Sequence, residues 1–391
     1  MKRFVFFVLV FMFLLCVSVF DVCCFVTSVE APSNLFFGGG SGTKDDPYVI
    51  SKIEHLDSIR NNLSGYFVLV SDLDFNDDSC YLDPSKKVFF STGEGWRPIG
   101  DSNYDNHFLG VFDGQGHVIS NLFINRSSSD LVGLFGYAYG GIVKDIGLVN
   151  VNVSGDWCVG GLVGYMYMGN ISGCYATGSV SGSEGVGGLV GEMYYGSVSG
   201  CYATGSVSGN KMVGGFVGLL YNSTVSNSYS RGNITRISGY ETSLGGFVGN
   251  CSFSSRIFNS YSTGSVRCQS PPHPVDKGFA GEVGYNCVMS GNFWDMDSSG
   301  QISTAGNAAV KTTSEMKTKS TFTDAGWDFD NIWDISDSIN DGYPYIKNYT
   351  GIEIGTEYGS KKRSNDIPGF ELLTILFAFV VILFIVRRRH R

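Results

Sequence analysis

Between residues 133 and 291 short apolar or β-branched runs alternate with glycine, serine and asparagine. One stretch reads Gly188-Leu-Val-Gly-Glu-Met-Tyr194, then Gly196-Ser-Val-Ser-Gly-Cys-Tyr202, then Gly205-Ser-Val-Ser-Gly209. Glycine every few residues stops a helix from propagating, and runs this short carry no helical stripe. What remains is a series of short strands joined at tight corners. Of the 53 glycines, 34 lie in this span, so the corners are concentrated there rather than spread along the chain.

The pattern repeats. A Gly-hydrophobic-Val-Gly tetrapeptide starts at Gly133 (as GLFG), Gly161, Gly188, Gly215, Gly246 and Gly281 (as GEVG), in steps of 28, 27, 27, 31 and 35 residues. A second phrase, Cys174-Tyr-Ala-Thr-Gly-Ser-Val180, is identical at Cys201–Val207 and recurs in altered form at Ser228–Ile234 and Ser260–Val266. A fixed period of this size marks one structural unit, copied and stacked. Three short strands with their corners fit one unit, and each turn pairs with the next at roughly 4.8 Å. The prediction is an all-β chain: a right-handed parallel β-helix of eight or nine turns. The recurring Val or Leu, and Tyr175, Tyr202, Tyr229 and Tyr261, are expected to stack in interior columns, because one turn cannot bury its apolar face alone. An antiparallel sandwich has no reason to repeat a phrase at constant offset.

The tetrapeptide spacing resembles the GLUG-motif repeats of bacterial and archaeal surface proteins. Gly42-Thr43-Lys-Asp-Asp-Pro47-Tyr48-Val-Ile50 and Phe112–Leu122 resemble the usual lead-in, and Asn292-Phe-Trp-Asp295 and Gly326-Trp327-Asp the usual close. The resemblance spans residues 38–346 and implies the fold; of activity it implies little.

The chain divides into a signal peptide (1–30), an N-terminal cap with the first turns (31–125), the repeat solenoid (126–295), a C-terminal cap (296–350), a linker (351–366) and a tail (367–391). Ser51-Lys-Ile-Glu54 is a capping-box pattern, and Ile53, Leu56 and Ile59 share one face of the short helix it opens, a lid over the first turn. Phe67–Phe75 and Leu109–Ile124 read as early turns, and Lys86–Asp105 as an insertion between them. A second cap, with a short helix near Ser314–Ser320, closes the other end.

Met1-Lys2-Arg3 followed by an apolar run from Phe4 to Phe20 has the form of a secretion signal, with an uncleaved anchor as the competing reading. At the other end Pro368-Gly369-Phe370 precedes an apolar run, Leu372–Val386, and then a cluster of arginines ending at Arg391. The arginines belong on the cytoplasmic side of a transmembrane helix, which leaves the solenoid outside. The order of triplet, helix and arginines resembles the archaeal PGF-CTERM sorting tail. That resemblance implies a sorting transpeptidase as partner and attachment to membrane lipid after the tail is removed.

Composition narrows the chemistry. The net charge is −9, and no basic stripe offers a surface to nucleic acid. No HExxH occurs among the five histidines, and no CxxC among the ten cysteines, so no metal or other cofactor is expected. Acids along the shaft are isolated: Glu192 and Glu282, three repeats apart, lie roughly 15 Å from each other by turn spacing, too far for a glycosidase pair. Catalytic residues are therefore not assigned. Asp72, Asp74, Asp77 and Asp78, and the run Asp295-Met-Asp297-Ser-Ser299, have the look of calcium loops, yet such clusters are mostly turns. Cys174 and Cys201 share a repeat position and either form a disulfide on export or stand as buried thiols. Candidate N-glycosylation acceptors are Asn62, Asn125, Asn152, Asn170, Asn222, Asn233, Asn250 and Asn348. The expected protein is a non-enzymatic surface rod for adhesion, envelope structure or binding of a glycan or cell-envelope partner. The alternative is a carbohydrate-active enzyme working in the β-helix groove.

Overall fold

The computed structural model describes residues 36–76, 93–237, 243–268 and 276–347. They form an all-β parallel solenoid with little helix. One turn at its centre runs Trp157–Gly160, Val163–Tyr167, Asn170–Ser172 and Tyr175–Ser181, and the chain re-enters the first face at Glu184–Gly187. In that order we call the faces the lead-in, tetrapeptide, short-strand and tyrosine sheets. The tetrapeptide sheet has six strands, and six is the number of full turns. The short-strand sheet has nine strands, because Tyr48–Ile50, Tyr66–Leu69 and Val111–Asp113 continue it beyond the repeats.

Phe135, Val163, Val190, Val217 and Val248 pair in register and form one fully buried column. The sixth member is Ala280, so the sixth tetrapeptide is Gly278-Phe279-Ala280-Gly281 and not the one starting at Gly281. Ring stacking decides this register. Phe279 lies on Phe247 with centroids 4.9 Å apart and planes 2° apart, and Phe247 lies on Phe216 at 4.8 Å.

The second expected interior column is on the other side of its strand. Successive side chains of a strand alternate in direction. Ala176 belongs to the core, opposite Gly161, so Tyr175 points outward. Tyr175, Tyr202, Tyr229 and Tyr261 stack outside the tyrosine sheet with centroids 4.7–5.1 Å apart and planes within 5°. At the end of this stack the C-terminal segment folds back and covers it. Trp327, Trp333, Phe322 and Tyr343 surround the Tyr261 ring, whose hydroxyl donates to Pro344 O at 2.6 Å and accepts from Asn340 Nδ2 at 2.8 Å. The C-terminal cap is therefore a side wall. The last turn is closed instead by residues 303–305, through Gly278 N to Ser303 O and Ala305 N to Ala280 O, both 2.9 Å.

The fully buried Asp295 joins the cap to the shaft. Its Oδ1 accepts from the backbone of Asp297 (2.9 Å) and Ser298 (3.2 Å), and its Oδ2 from Thr313 Oγ1 and Tyr343 OH, both 2.7 Å. Burial and the bond to Asp295 push Tyr343 up to about 12. We predict that Asp295→Ala lowers stability by about 3 kcal/mol, read as a fall in the thermal midpoint, because the buried Tyr343 hydroxyl and three part-buried donors lose their acceptor. A midpoint unchanged from wild type would show that the cap is held by its aromatic contacts alone.

At the N-terminal end the lid is as expected: Ile53, Leu56 and Ile59 are buried beneath the helix Ile53–Ser58 and the short 3-10 turn Ile59–Asn61. Its capping box is not. Lys52 is the N-cap, and the Ser51 hydroxyl is taken up by His55 Nδ1 at 3.3 Å. A capping box forms at Thr312 and Glu315 instead, opening the helix Thr313–Met316. The expected insertion is also corrected in its described part. Ile99 pairs in parallel with Phe135 and Phe108 with Ala138, so this stretch lies beneath the first tetrapeptide turn.

Candidate functional site: the outer face of the tetrapeptide sheet

The closing glycine of the tetrapeptide shapes this face. After Val163 turns inward, Gly164 lies against the backbone of Leu131, Val132 and Cys158, and Gly191 against that of Cys158 and Val159. No side chain fits there, so the lead-in sheet packs directly beside the tetrapeptide sheet. Beyond the glycine, Tyr165 points out, Met166 in and Tyr167 out.

Two outward columns follow. One holds Tyr137, Tyr165, Glu192, Leu219, Asn250 and Glu282; the other holds Tyr139, Tyr167, Tyr194, Tyr221 and Ser252. Their rings make a continuous file. Centroid separations are 3.9 Å from His107 to Tyr137, 4.9 Å to Tyr165, 5.2 Å to Tyr194, 5.2 Å to Tyr221 and 5.1 Å to Phe253. A second file runs Tyr139, Tyr167 and Tyr195 at 5.3 and 5.4 Å and meets the first at Tyr221. Tyr139, Tyr195 and Phe253 are 37%, 44% and 46% exposed. Tyr195 sits at a corner with φ 56°, its ring turned 63° and 66° from its two neighbours, so neither covers it face to face.

The polar groups of this face are few and mostly engaged. Glu192 is buried over Gly185, and Tyr194 OH donates to its Oε2 at 3.3 Å. Burial raises the Glu192 carboxyl, while bonds from Cys158 and Tyr194 oppose the rise. Burial also raises the hydroxyls of Tyr165 and Tyr194, and the Cys158 thiol, which stands well above the range of a nucleophilic cysteine. Glu282 accepts from Ser243 Oγ (2.7 Å) and Asn250 Nδ2 (3.1 Å) and is three turns from Glu192 in the same column. Lys211 pairs with Glu184 at 2.6 Å on the neighbouring lead-in sheet.

At its N-terminal end the file borders a cavity of about 690 Å³ that shares Tyr165 with it and adds Arg97, Arg126, Asp130, Trp157 and Cys158. Arg126 pairs with Glu94 at 2.8 Å, and Asp130 accepts from Trp157 N at 3.3 Å. The Trp157 ring is 53% exposed at the rim.

Of the acceptor asparagines, Asn125, Asn152, Asn170, Asn222 and Asn233 are exposed, while Asn62 and Asn250 are partly buried. Cys174 and Cys201 stand one turn apart as free thiols. Cys174 N bonds Cys201 Sγ (3.3 Å), Cys201 N bonds Ser228 Oγ (3.3 Å), and Ser228 N bonds Ser260 Oγ (3.3 Å), so the thiols occupy serine positions of one polar ladder. Asp72 and Asp74 accept from Val118 N and Asn121 Nδ2, and Asp295 is the cap junction; these acids hold turns. Among the described residues no group of three or more His, Cys, Asp and Glu side chains could hold a metal ion. Among them, too, no helix is long and apolar enough to cross a membrane. The signal peptide, Asp77, Asp78, Asn348, Pro368, Gly369, Phe370 and the C-terminal helix lie outside the described residues. Sequence reasoning missed the aromatic file. Its signal was the Tyr-x-Tyr that follows the tetrapeptide at Tyr137 and Tyr165.

Comparison with known proteins agrees with the repeat. The GLUG motif matches residues 155–181, 182–208 and 209–235, and these are GLUG repeats. A Gly-rich membrane protein of Evansella cellulosilytica is 41% identical over 133 residues, covering 33% of this chain and 13% of that protein. Halomucin of Haloquadratum walsbyi is 35% identical over 146 residues, covering 36% of this chain and 2% of halomucin. The chain thus matches only a small part of either relative. Among solved structures, a Bacteroides ovatus protein named for an immunoglobulin A1 protease superposes with a TM-score of 0.56 at 21% identity, covering 80% of this chain and 95% of that one. At that identity the likeness is one of fold.

Proposed function

We propose that the chain is a non-enzymatic cell-surface protein: a β-solenoid displayed outside the membrane, held by its C-terminus, and meeting a glycan or envelope partner through an outer face. The observation that carries this reading is the aromatic face of the tetrapeptide sheet, repeated turn by turn and nearly free of exposed charge. The relatives named as a membrane protein and a halomucin support the surface location. A carbohydrate-active enzyme is the weaker reading, since Glu192 and Glu282 are three turns apart and Glu192 is buried. In this proposal the exposed acceptor asparagines carry glycans, and Cys174 and Cys201 are close enough to be oxidised to a disulfide during export.

Location and anchoring are tested together. Protease added to intact cells is expected to remove the solenoid, and deletion of Pro368–Arg391 to release it into the medium. Replacing Pro368, Gly369 and Phe370 by alanine should leave it membrane-bound and unprocessed, heavier by the retained tail. A mature protein whose intact mass still includes Arg391 would refute processing and leave a single-pass anchor. A solenoid untouched by protease on intact cells would overturn the surface location itself.

A further inference from the structure

We propose that the aromatic file of the tetrapeptide sheet is a binding site for one extended, uncharged polysaccharide chain, laid along the solenoid axis. This deepens the surface-binding reading above and rests on it.

The file repeats once per turn, with centroid steps between 4.9 and 5.4 Å from Tyr137 and Tyr139 onward. From Tyr137 to Phe253 it spans four turns, roughly 19 Å. A globular protein partner without repeats would have no reason to present the same chemistry at each step. A linear sugar polymer does, because its units are identical and each advances by about one ring width. The side chains match that polymer on both of its surfaces. The stacked, partly exposed tyrosines present ring edges suited to the hydroxyl rim of a pyranose, with the Tyr194 hydroxyl held by Glu192, and Tyr195, uncovered by its neighbours, offers a ring face to the C–H side of a sugar.

Charge selects among polymers. Glu192 is buried, Lys211 and Glu184 neutralise each other to one side, and the exposed members Tyr139, Tyr195 and Phe253 are neutral. The one exposed charge beside the file, the Glu282 carboxylate bound to Asn250 at its C-terminal end, would repel a uronate or a sulfate, so the ligand the strip fits is uncharged. Each contact is weak by itself. Because the units are linked, a chain long enough to reach several turns gains by effective concentration.

The test uses the full-length protein and a panel of soluble polymers: uncharged β-glucan, mannan and xylan, with alginate and hyaluronate as acidic counterparts, and oligomers of the best binder from dimer to octamer. Binding to at least one uncharged polymer is expected, with affinity rising steeply up to about five units and levelling beyond, as the file fills. The triple variant Tyr139→Ser, Tyr167→Ser, Tyr195→Ser should weaken binding by at least about tenfold. The single variant Tyr195→Ser serves if the triple misfolds by circular dichroism. Ser179→Ala with Ser206→Ala, on the exposed side of the tyrosine sheet, should leave binding unchanged. No binding to any uncharged polymer, or equal binding by the tyrosine variants, overturns the proposal. So does binding restricted to acidic polymers and lost in Arg97→Gln, which would move the site to the cavity. The protease result on intact cells is independent of all these arms, so failure of the ligand and failure of the surface location remain distinguishable.

Discussion

Val190→Asp is expected to destabilise the solenoid by about 3 kcal/mol or more, seen as a large fall in the thermal or urea midpoint. Val190 is fully buried and paired in register with Val163 on one side and Val217 on the other. A carboxylate there has apolar neighbours along the column and no cation within it. It must either enter the core charged, at a desolvation cost no partner offsets, or take up a proton. The effect spreads beyond one turn, because each turn is stabilised chiefly by its neighbours and a broken turn uncouples the two halves. Asp156→Ala, at a partly exposed corner, should change the midpoint little. If Val190→Asp melted with wild type, the column could not be the support of the fold.

Gly187→Ala is the second large effect, at about 2–4 kcal/mol, although it adds one methyl group. That methyl would overlap the carbonyl oxygen of Val190 and press on Gly218 N and Val217 Cα, all backbone and all in paired strands. None can move without breaking the ladder. Gly140 gives the contrast: its φ is +68° and nothing lies near its missing side chain, so Gly140→Ala should cost only about 1 kcal/mol. The two glycines are there for different reasons: Gly187 for close approach, and Gly140 for a left-handed corner that Met168, Tyr195 and Asn222 take in later turns. Equal losses in the two variants would refute that distinction.

Much of the architecture was legible in the sequence because a repeat fixes register. Once Val163, Val190 and Val217 share an offset, parallel pairing of successive turns puts them in one column with no further information. The N-terminal lid was legible for a similar reason, since Ile53, Leu56 and Ile59 declare their face by spacing alone. Where the period was broken, the sequence pointed to the tetrapeptide starting at Gly281, and the pairing of Val248 with Ala280 and the stacking of Phe279 on Phe247 moved the sixth one to Gly278.

The rest depended on direction and on distant partners. A strand shows two faces, and the sequence phrase Cys174-Tyr-Ala marks all three residues alike. Which one points inward is set by what lies across the shaft, here Gly161 opposite Ala176, and that put the tyrosines outside. The cap came to rest on them because Trp327, Trp333 and Tyr343 needed an aromatic surface, and the outer stack at Tyr261 was the one the fold provided. The candidate site follows the same logic. Tyr165, Tyr194, Tyr221 and Phe253 are separated in the chain by about one repeat each and become one file only when the turns are stacked. By itself the sequence determined the period, the pairing and the identity of the buried Val column, since these follow from local pattern and constant offset. The outward face, the lateral cap and the aromatic file were decided by the tertiary structure, because each depends on which side of a strand remains uncovered after the shaft has closed.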